Sequence, residues 1–261
     1  MIAYFWNMKL FYREYGGGQP LIILHGLMGS SDNWLPQAKL LAEHYHVWVV
    51  DQRNHGQSPH SEVFDYTVLS KDILEFIQEH QLENPIILGH SMGGKAAMNF
   101  ALAHPDMLDR LIVVDIAPKT YEVRHDYIVE GLKAVPIDTI QTRQQADEEL
   151  AKHLSNEAVR QFLLKNLMRK PEGGFGWRIN LPVIDKNIEV IGGKLIVDGS
   201  FKKRTLFIRG IKSDYILDSD QEVIKNIFPN STLVSLDTGH WVQAEKPAEF
   251  VQVVLNFLNG Q

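Results

Sequence analysis

No cysteine occurs anywhere in the 261 residues. Disulfides, thiolate metal sites and a cysteine nucleophile are therefore excluded together, and the chain suits a reducing compartment such as the cytoplasm. No stretch approaches the run of about 18 apolar residues that a membrane span requires, so none is expected. Basic charge is in deficit: 26 Lys and Arg stand against 32 Asp and Glu, for a formal charge of −6. That balance is wrong for neutralising phosphates, and no nucleic-acid partner is expected. Met1–Gly18 opens on apolar and aromatic residues, but Lys9, Arg13 and Glu14 interrupt it. It lacks the basic start, apolar middle and small-residue cleavage site of a secretory signal. Repeats and low-complexity tracts are missing too. None of the eleven histidines stands four residues from another, so neither metal nor cofactor is expected.

What remains is an ordinary globular composition, 44% hydrophobic and 22% charged, sized for one large domain or a core with an insertion. Short apolar runs alternate with helix-period segments. Lys9–Tyr15, Pro20–Leu24, His46–Val50, Pro85–Leu88 and Leu111–Val114 read as strands. Trp34–Tyr45, Tyr66–His80 and Gly94–His104 read as the helices between them. Continuously apolar strands separated by helices predict a parallel sheet covered on both faces, an α/β fold. The rhythm breaks after Asp115. Helices are predicted over Tyr127–Val135, Thr142–Leu154 and Glu157–Arg169, and then a Gly-rich stretch runs from Gly173 to Trp177. Strand and helix resume with Thr205–Ile208, Ser219–Ile227, Thr232–Leu236 and Pro247–Leu258. The predicted division is a core of residues 1–117 and 201–261 with a helical lid of residues 118–200.

Gly89-His90-Ser91-Met92-Gly93 is a G-x-S-x-G motif placed after a predicted strand and before a predicted helix. In that setting the glycines permit a sharp turn that projects Ser91 as a nucleophile beside the N–H groups of a helix start. The overlapping Gly89-x-x-x-x-Gly94-Lys95 resembles a phosphate loop, but Ala96 stands where a magnesium-binding hydroxyl is needed. An activated serine also needs a base and an oxyanion site. Backbone N–H groups of Leu27, in His25-Gly26-Leu27-Met28-Gly29, and of Met92 are the candidate oxyanion donors. His240, after the last predicted strand, is the candidate base. Two acids preserve the order serine, acid, histidine: Asp115, ending the strand after the nucleophile helix, and Asp214, after the next core strand. Arg53 is expected to hold its loop by backbone or carboxylate bonds rather than to catalyse.

Together these residues resemble the α/β-hydrolase superfamily over essentially the whole chain. The marks are His25–Gly29, Asp51–Ser58, Gly89–Lys95 and Gly239-His240-Trp241. The YbfF-like bacterial esterases are the most similar group, through Asp115-Ile116-Ala117-Pro118, Gln141–Ala146 and His240–Pro247. The resemblance implies a mostly parallel sheet with helices on both faces and a helical lid inserted after strand six. It implies a serine carboxylesterase acting on short-to-medium acyl esters, or acyl-CoA thioesters, as its small-molecule substrates. The superfamily's usual acid position favours Asp214, whereas the YbfF-like pattern favours Asp115. His25, Met28, Phe162, Trp177 and Trp241 are the candidate substrate-lining residues. The same fold also serves C–C bond hydrolases, menaquinone-pathway enzymes and slow-turnover small-ligand receptors, because fold and triad do not set the substrate.

Overall fold

The computed structural model describes residues 8–122 and 126–260. Residues 1–7, part of the segment weighed against a secretory signal, lie outside them, as do residues 123–125 and Gln261. Along the chain the strands are β1 (Tyr12–Tyr15), β2 (Pro20–Leu24), β3 (His46–Val50), β4 (Ile86–His90), β5 (Arg110–Val114), β6 (Leu167–Arg169), β7 (Phe175–Trp177), β8 (Thr205–Gly210) and β9 (Ser231–Leu236). Helices α1 (Leu35–Leu41), α2 (Tyr66–Glu79) and α3 (Met92–Ala103) alternate with the early strands. Between β5 and β8 come α4 (Asp126–Ala134), α5 (Arg143–Ala151), α6 (Glu157–Leu164), α7 (Leu181–Lys186) and α8 (Ile188–Gly192). The chain closes with α9 (Gln221–Ile227), α10 (Val242–Glu245) and α11 (Pro247–Leu258). Among the described residues, no helix is long and apolar enough to cross a membrane.

Seven strands form one sheet in the order β1-β3-β2-β4-β5-β8-β9. Only the edge strand β1 runs antiparallel to its neighbour; the rest are parallel. Successive side chains of a strand point to opposite faces, and the core divides accordingly. Ile22, Leu24, Ile87 and Val113 join one buried cluster with Leu69 and Ile73 of α2 and Phe100 of α3. Leu21, Ile23, Leu88 and Ile112 join the other with Leu41 of α1 and Phe250 of α11. Both faces are covered, which is why these strands read as unbroken apolar runs rather than as alternation.

The structure departs from expectation chiefly in the insertion. It follows β5, the fifth strand among the described residues. The predicted helix over Glu157–Arg169 stops at Leu164, and Leu167–Arg169 instead pairs with Phe175–Trp177 as a hairpin. Asn166 stands at the break: its side-chain NH₂ donates to Leu163 O, and its backbone carbonyl accepts the Arg178 N–H. Gly173 and Gly174, at φ 99° and 77°, then turn the chain back. A local apolar spacing could not distinguish that hairpin from one more helical turn. The helix expected over Trp34–Tyr45 is likewise shorter, Leu35–Leu41.

Candidate active site

Loops after the parallel strands meet at the carboxyl end of the sheet, where open α/β sheets bind ligands. His25–Gly29 follows β2, Asp51–Ser58 follows β3, Ser91 follows β4, Asp115 follows β5 and His240 follows β9. Ser91 occupies the turn between β4 and α3 at φ 52° and ψ −118°, a conformation costly for any side chain and common at functional sites. The flanking glycines are steric requirements. A Cβ at Gly89 would lie 2.2 Å from Gly93 O, and one at Gly93 would lie 2.6 Å from both Leu24 O and His25 O. Gly93→Ala is expected to cost about 3 kcal/mol, because backbone cannot yield as a side chain would, and a lowered thermal midpoint would register it.

Asp115, fully buried and at φ 49°, is the carboxylate in contact with His240. Its Oδ2 lies 2.8 Å from His240 Nδ1 and accepts from Ser213 Oγ, while its Oδ1 accepts the Gly210 N–H at 3.0 Å. A carboxylate only accepts, so Nδ1 carries the proton and Nε2 keeps its lone pair. The Tyr215 ring stacks on His240 at 3.9 Å and 19°. The His90 ring lies 4.7 Å from that of His240, tilted by 43°, with its Nε2 2.9 Å from His240 O. Burial, with His240 close by, holds His90 well below its ordinary pKa range, so it stays neutral. Asp214 is exposed and makes no hydrogen bond or ion pair with His240.

Two cavities share Leu27, Ser91 and His240. The larger, about 810 Å³, is lined by Met28, Ile128, Val159, Phe162, Leu163 and Trp241, and it also touches His25. Phe162 and Trp241 meet there with ring centroids 5.4 Å apart. The smaller, about 660 Å³, is more polar, with Tyr66, Lys95, Lys119, Tyr121, Asp214 and Tyr215 in its wall. Both volumes fall in the range of small-molecule sites. Trp177 lines neither: β7 turns it back, half-buried, against the core. Among the described residues, neither the Leu27 N–H nor the Met92 N–H donates to a protein acceptor.

Lys95 of the near phosphate-loop pattern is spent elsewhere. Its ammonium donates to Gly192 O and Gly193 O at the end of α8 and lies 4.7 Å over the Tyr121 ring. Burial pushes its pKa down to about 7. Arg53 grips Asp72 through two 2.6 Å bonds, both side chains buried, and so anchors its loop to α2. Tyr215, stacked on His240, and Asn166, bonded to Met28 O, are contacts of the site that the sequence does not single out. Tyr215 directly follows Asp214 and could have been noticed, but nothing in the sequence around Asn166 distinguishes it.

A strained serine between a central parallel strand and its following helix, with a buried acid–histidine pair at the same sheet edge, defines a class. The model of the alpha/beta hydrolase fold matches residues 19–247, and the chain belongs to that family. It is a serine hydrolase of the esterase and lipase type, similar to the bacterial esterase YbfF of Escherichia coli. That protein is 37% identical over 243 residues, covering 92% of this chain and 93% of its own. An sn-1-specific diacylglycerol lipase, ABHD11 of Danio rerio, is 38% identical over 93% of this chain and 79% of its own. Among solved structures, a marine microorganism esterase superposes with a TM-score of 0.94 at 43% identity, covering 96% of this chain and 99% of that one.

Proposed function

We propose that the protein is a carboxylesterase that cleaves short-to-medium acyl esters through a triad of Ser91, His240 and Asp115. The 2.8 Å contact between His240 Nδ1 and buried Asp115 Oδ2 carries the reading, because it leaves Nε2 as the basic nitrogen. In the first half-reaction Ser91 Oγ attacks the ester carbonyl carbon as its proton passes to His240 Nε2. The negative oxygen that forms is received by the Leu27 and Met92 N–H groups, which donate to no acceptor among the described residues. The acyl–oxygen bond then breaks, and His240 returns the proton to the departing alcohol. In the second half-reaction water attacks the acyl-serine with the same proton transfers, releasing the acid and restoring Ser91.

The larger cavity suits the acyl chain, since Ile128, Val159, Phe162 and Trp241 offer apolar wall, and the smaller, polar one suits the alcohol portion. We assign residues 118–200 as the lid, supported by Phe162 and Val159 on one cavity and Tyr121 and Ile188 on the other. The lid carries twelve basic and twelve acidic residues, so the charge of −6 belongs to the core. A neutral lid favours uncharged esters. Acyl-CoA thioesters are the second reading, favoured by Lys119 and Lys212 in the wall of the polar cavity, although each is paired with an Asp. The lack of cysteine supports a cytoplasmic site of action.

The test is turnover of p-nitrophenyl esters from acetate to decanoate beside butyryl-CoA, with an alkyl fluorophosphonate to label the nucleophile. Saturable ester hydrolysis and a single adduct mapped to Ser91 are expected. Background rates at every chain length, or an adduct at another residue, would overturn the assignment.

A further inference from the structure

The oxyanion loop after β2 is held in an unusual way. Met28 is a non-glycine residue at φ 59°, a left-handed conformation that is unfavourable for a side chain unless its surroundings impose it. Its N–H and its carbonyl are both tied to side chains. The Met28 N–H donates to His55 Nε2 at 3.1 Å, and Met28 O accepts from Asn166 Nδ2 at 2.8 Å. Both partner side chains are buried, at 0% and 2% exposure.

The tautomer of His55 follows from its second contact. Nδ1 lies 2.9 Å from Arg53 O, so Nδ1 carries the proton and Nε2 offers the lone pair that Met28 N–H needs. His25 repeats the arrangement in reverse. Its Nδ1 donates to Gly26 O at 2.8 Å, and its Nε2 accepts the Gln52 N–H at 2.9 Å. Each histidine thus stands in one loop and accepts a backbone N–H of the other, with ring centroids 5.1 Å apart. The loops after β2 and β3 are laced together by two neutral imidazoles.

We propose that His55 and Asn166 are positioning residues that clamp the Met28 peptide and thereby keep the neighbouring Leu27 N–H aimed at the reacting carbonyl oxygen. The inference rests on the esterase reading above. With the Met28 N–H committed to His55, the 27–28 peptide cannot rotate to relieve φ at Met28, while the neighbouring Leu27 N–H donates to no acceptor among the described residues. Asn166 belongs to the insertion, between α6 and β6. The clamp therefore couples the seating of the insertion to the geometry of the oxyanion donor, beyond any role in covering the site.

The experiment uses the full chain with p-nitrophenyl butyrate and an alkyl trifluoromethyl ketone, whose serine adduct places a charged oxygen where the oxyanion would lie. His55→Phe keeps a flat ring without an acceptor, while His55→Gln can return an acceptor oxygen near the place of Nε2. His55→Phe is expected to lower kcat by about 10²-fold, the scale of a misplaced group in an active site, with KM little changed. The ketone's inhibition constant should rise in proportion, and His55→Gln should recover most of both. Asn166→Ala should move kcat and the inhibition constant in the same directions. A folded His55→Phe with wild-type kcat, a loss carried by KM alone, or a His55→Gln as impaired as His55→Phe would overturn the clamp. If His55→Phe does not fold, Asn166→Ala decides by the kcat and ketone criteria. An inert wild-type enzyme would instead sink the esterase reading, and the clamp with it.

Discussion

Asp115→Asn lowers turnover by about 10⁴-fold, whereas Asp214→Asn leaves it within about threefold of wild type, by the logic of orienting acids in Ser-His-Asp enzymes. An asparagine at 115 can keep its carbonyl oxygen on the Gly210 N–H, which turns its NH₂ toward His240. That NH₂ can only donate, so Nδ1 must become the acceptor and the ring proton moves to Nε2. A protonated Nε2 cannot take the Ser91 proton. The fold should survive because Asn matches Asp in shape and Asp115 keeps its backbone bond from Asp115 N to Ile208 O. Asp214 has no such position: it is exposed on the cavity wall and does not meet His240. Steady-state rates for both variants, with thermal midpoints as the folding control, test the assignment. Equal losses in the two variants, or a larger loss at Asp214, would sink it.

Acid should destabilise the fold well before its carboxylates are fully protonated. Burial pushes His25 down to about 4, and burial with the neighbouring His25 pushes His55 down to about 3. In the unfolded chain each titrates near 6.5. Between those values the unfolded chain binds more protons than the native one, so stability falls as pH falls. The contribution is flat above the unfolded value and flat again once the native rings are themselves protonated. Moving from pH 6.5 to pH 5 should cost roughly 3 kcal/mol from the two rings together, or roughly 6–12 °C in thermal midpoint for a chain of this size. His90, lowered in the same direction, steepens the trend. Protonation has a structural meaning here, because each ring must accept a backbone N–H through the nitrogen that would be protonated. Thermal midpoints across this range for wild type and His55→Gln measure the effect. A His55→Gln slope as steep as that of wild type would exclude His55 as a source.

Much of the fold is legible because it is local. Pro20–Leu24, His46–Val50 and Pro247–Leu258 have the same bounds in the sequence reading and the structure. Unbroken apolar runs suit strands buried on both faces, and regular apolar spacing suits helices lying on them. The strained turn at Ser91 is local as well, for its glycines are needed by contacts within Gly89–Gly93 and with the loop beside it. The insertion is less legible, because Leu167 continues the helical spacing of α6 while Asn166 and the Gly173–Gly174 turn redirect the chain. Trp177, apolar and in the insertion, suggested a pocket wall, but hairpin pairing carries it away from both cavities.

By itself, the sequence determined the class of the sheet, the turn that carries Ser91, and the pair of acids from which His240 could draw a partner. Only the tertiary structure decided which acid meets the ring. Asp115 and Asp214 both follow adjacent strands of the same sheet, β5 and β8, and both come after the serine and before the histidine. Their choice depends on the position of a loop 125 residues from Asp115 along the chain, and no local pattern encodes so distant an approach. The same holds for the histidine lacing and for Asn166 on Met28 O, 138 residues apart. The absence of cysteine left an oxygen as the nucleophile, but the surroundings of that oxygen arise only when the loops at the carboxyl end of the sheet are folded together.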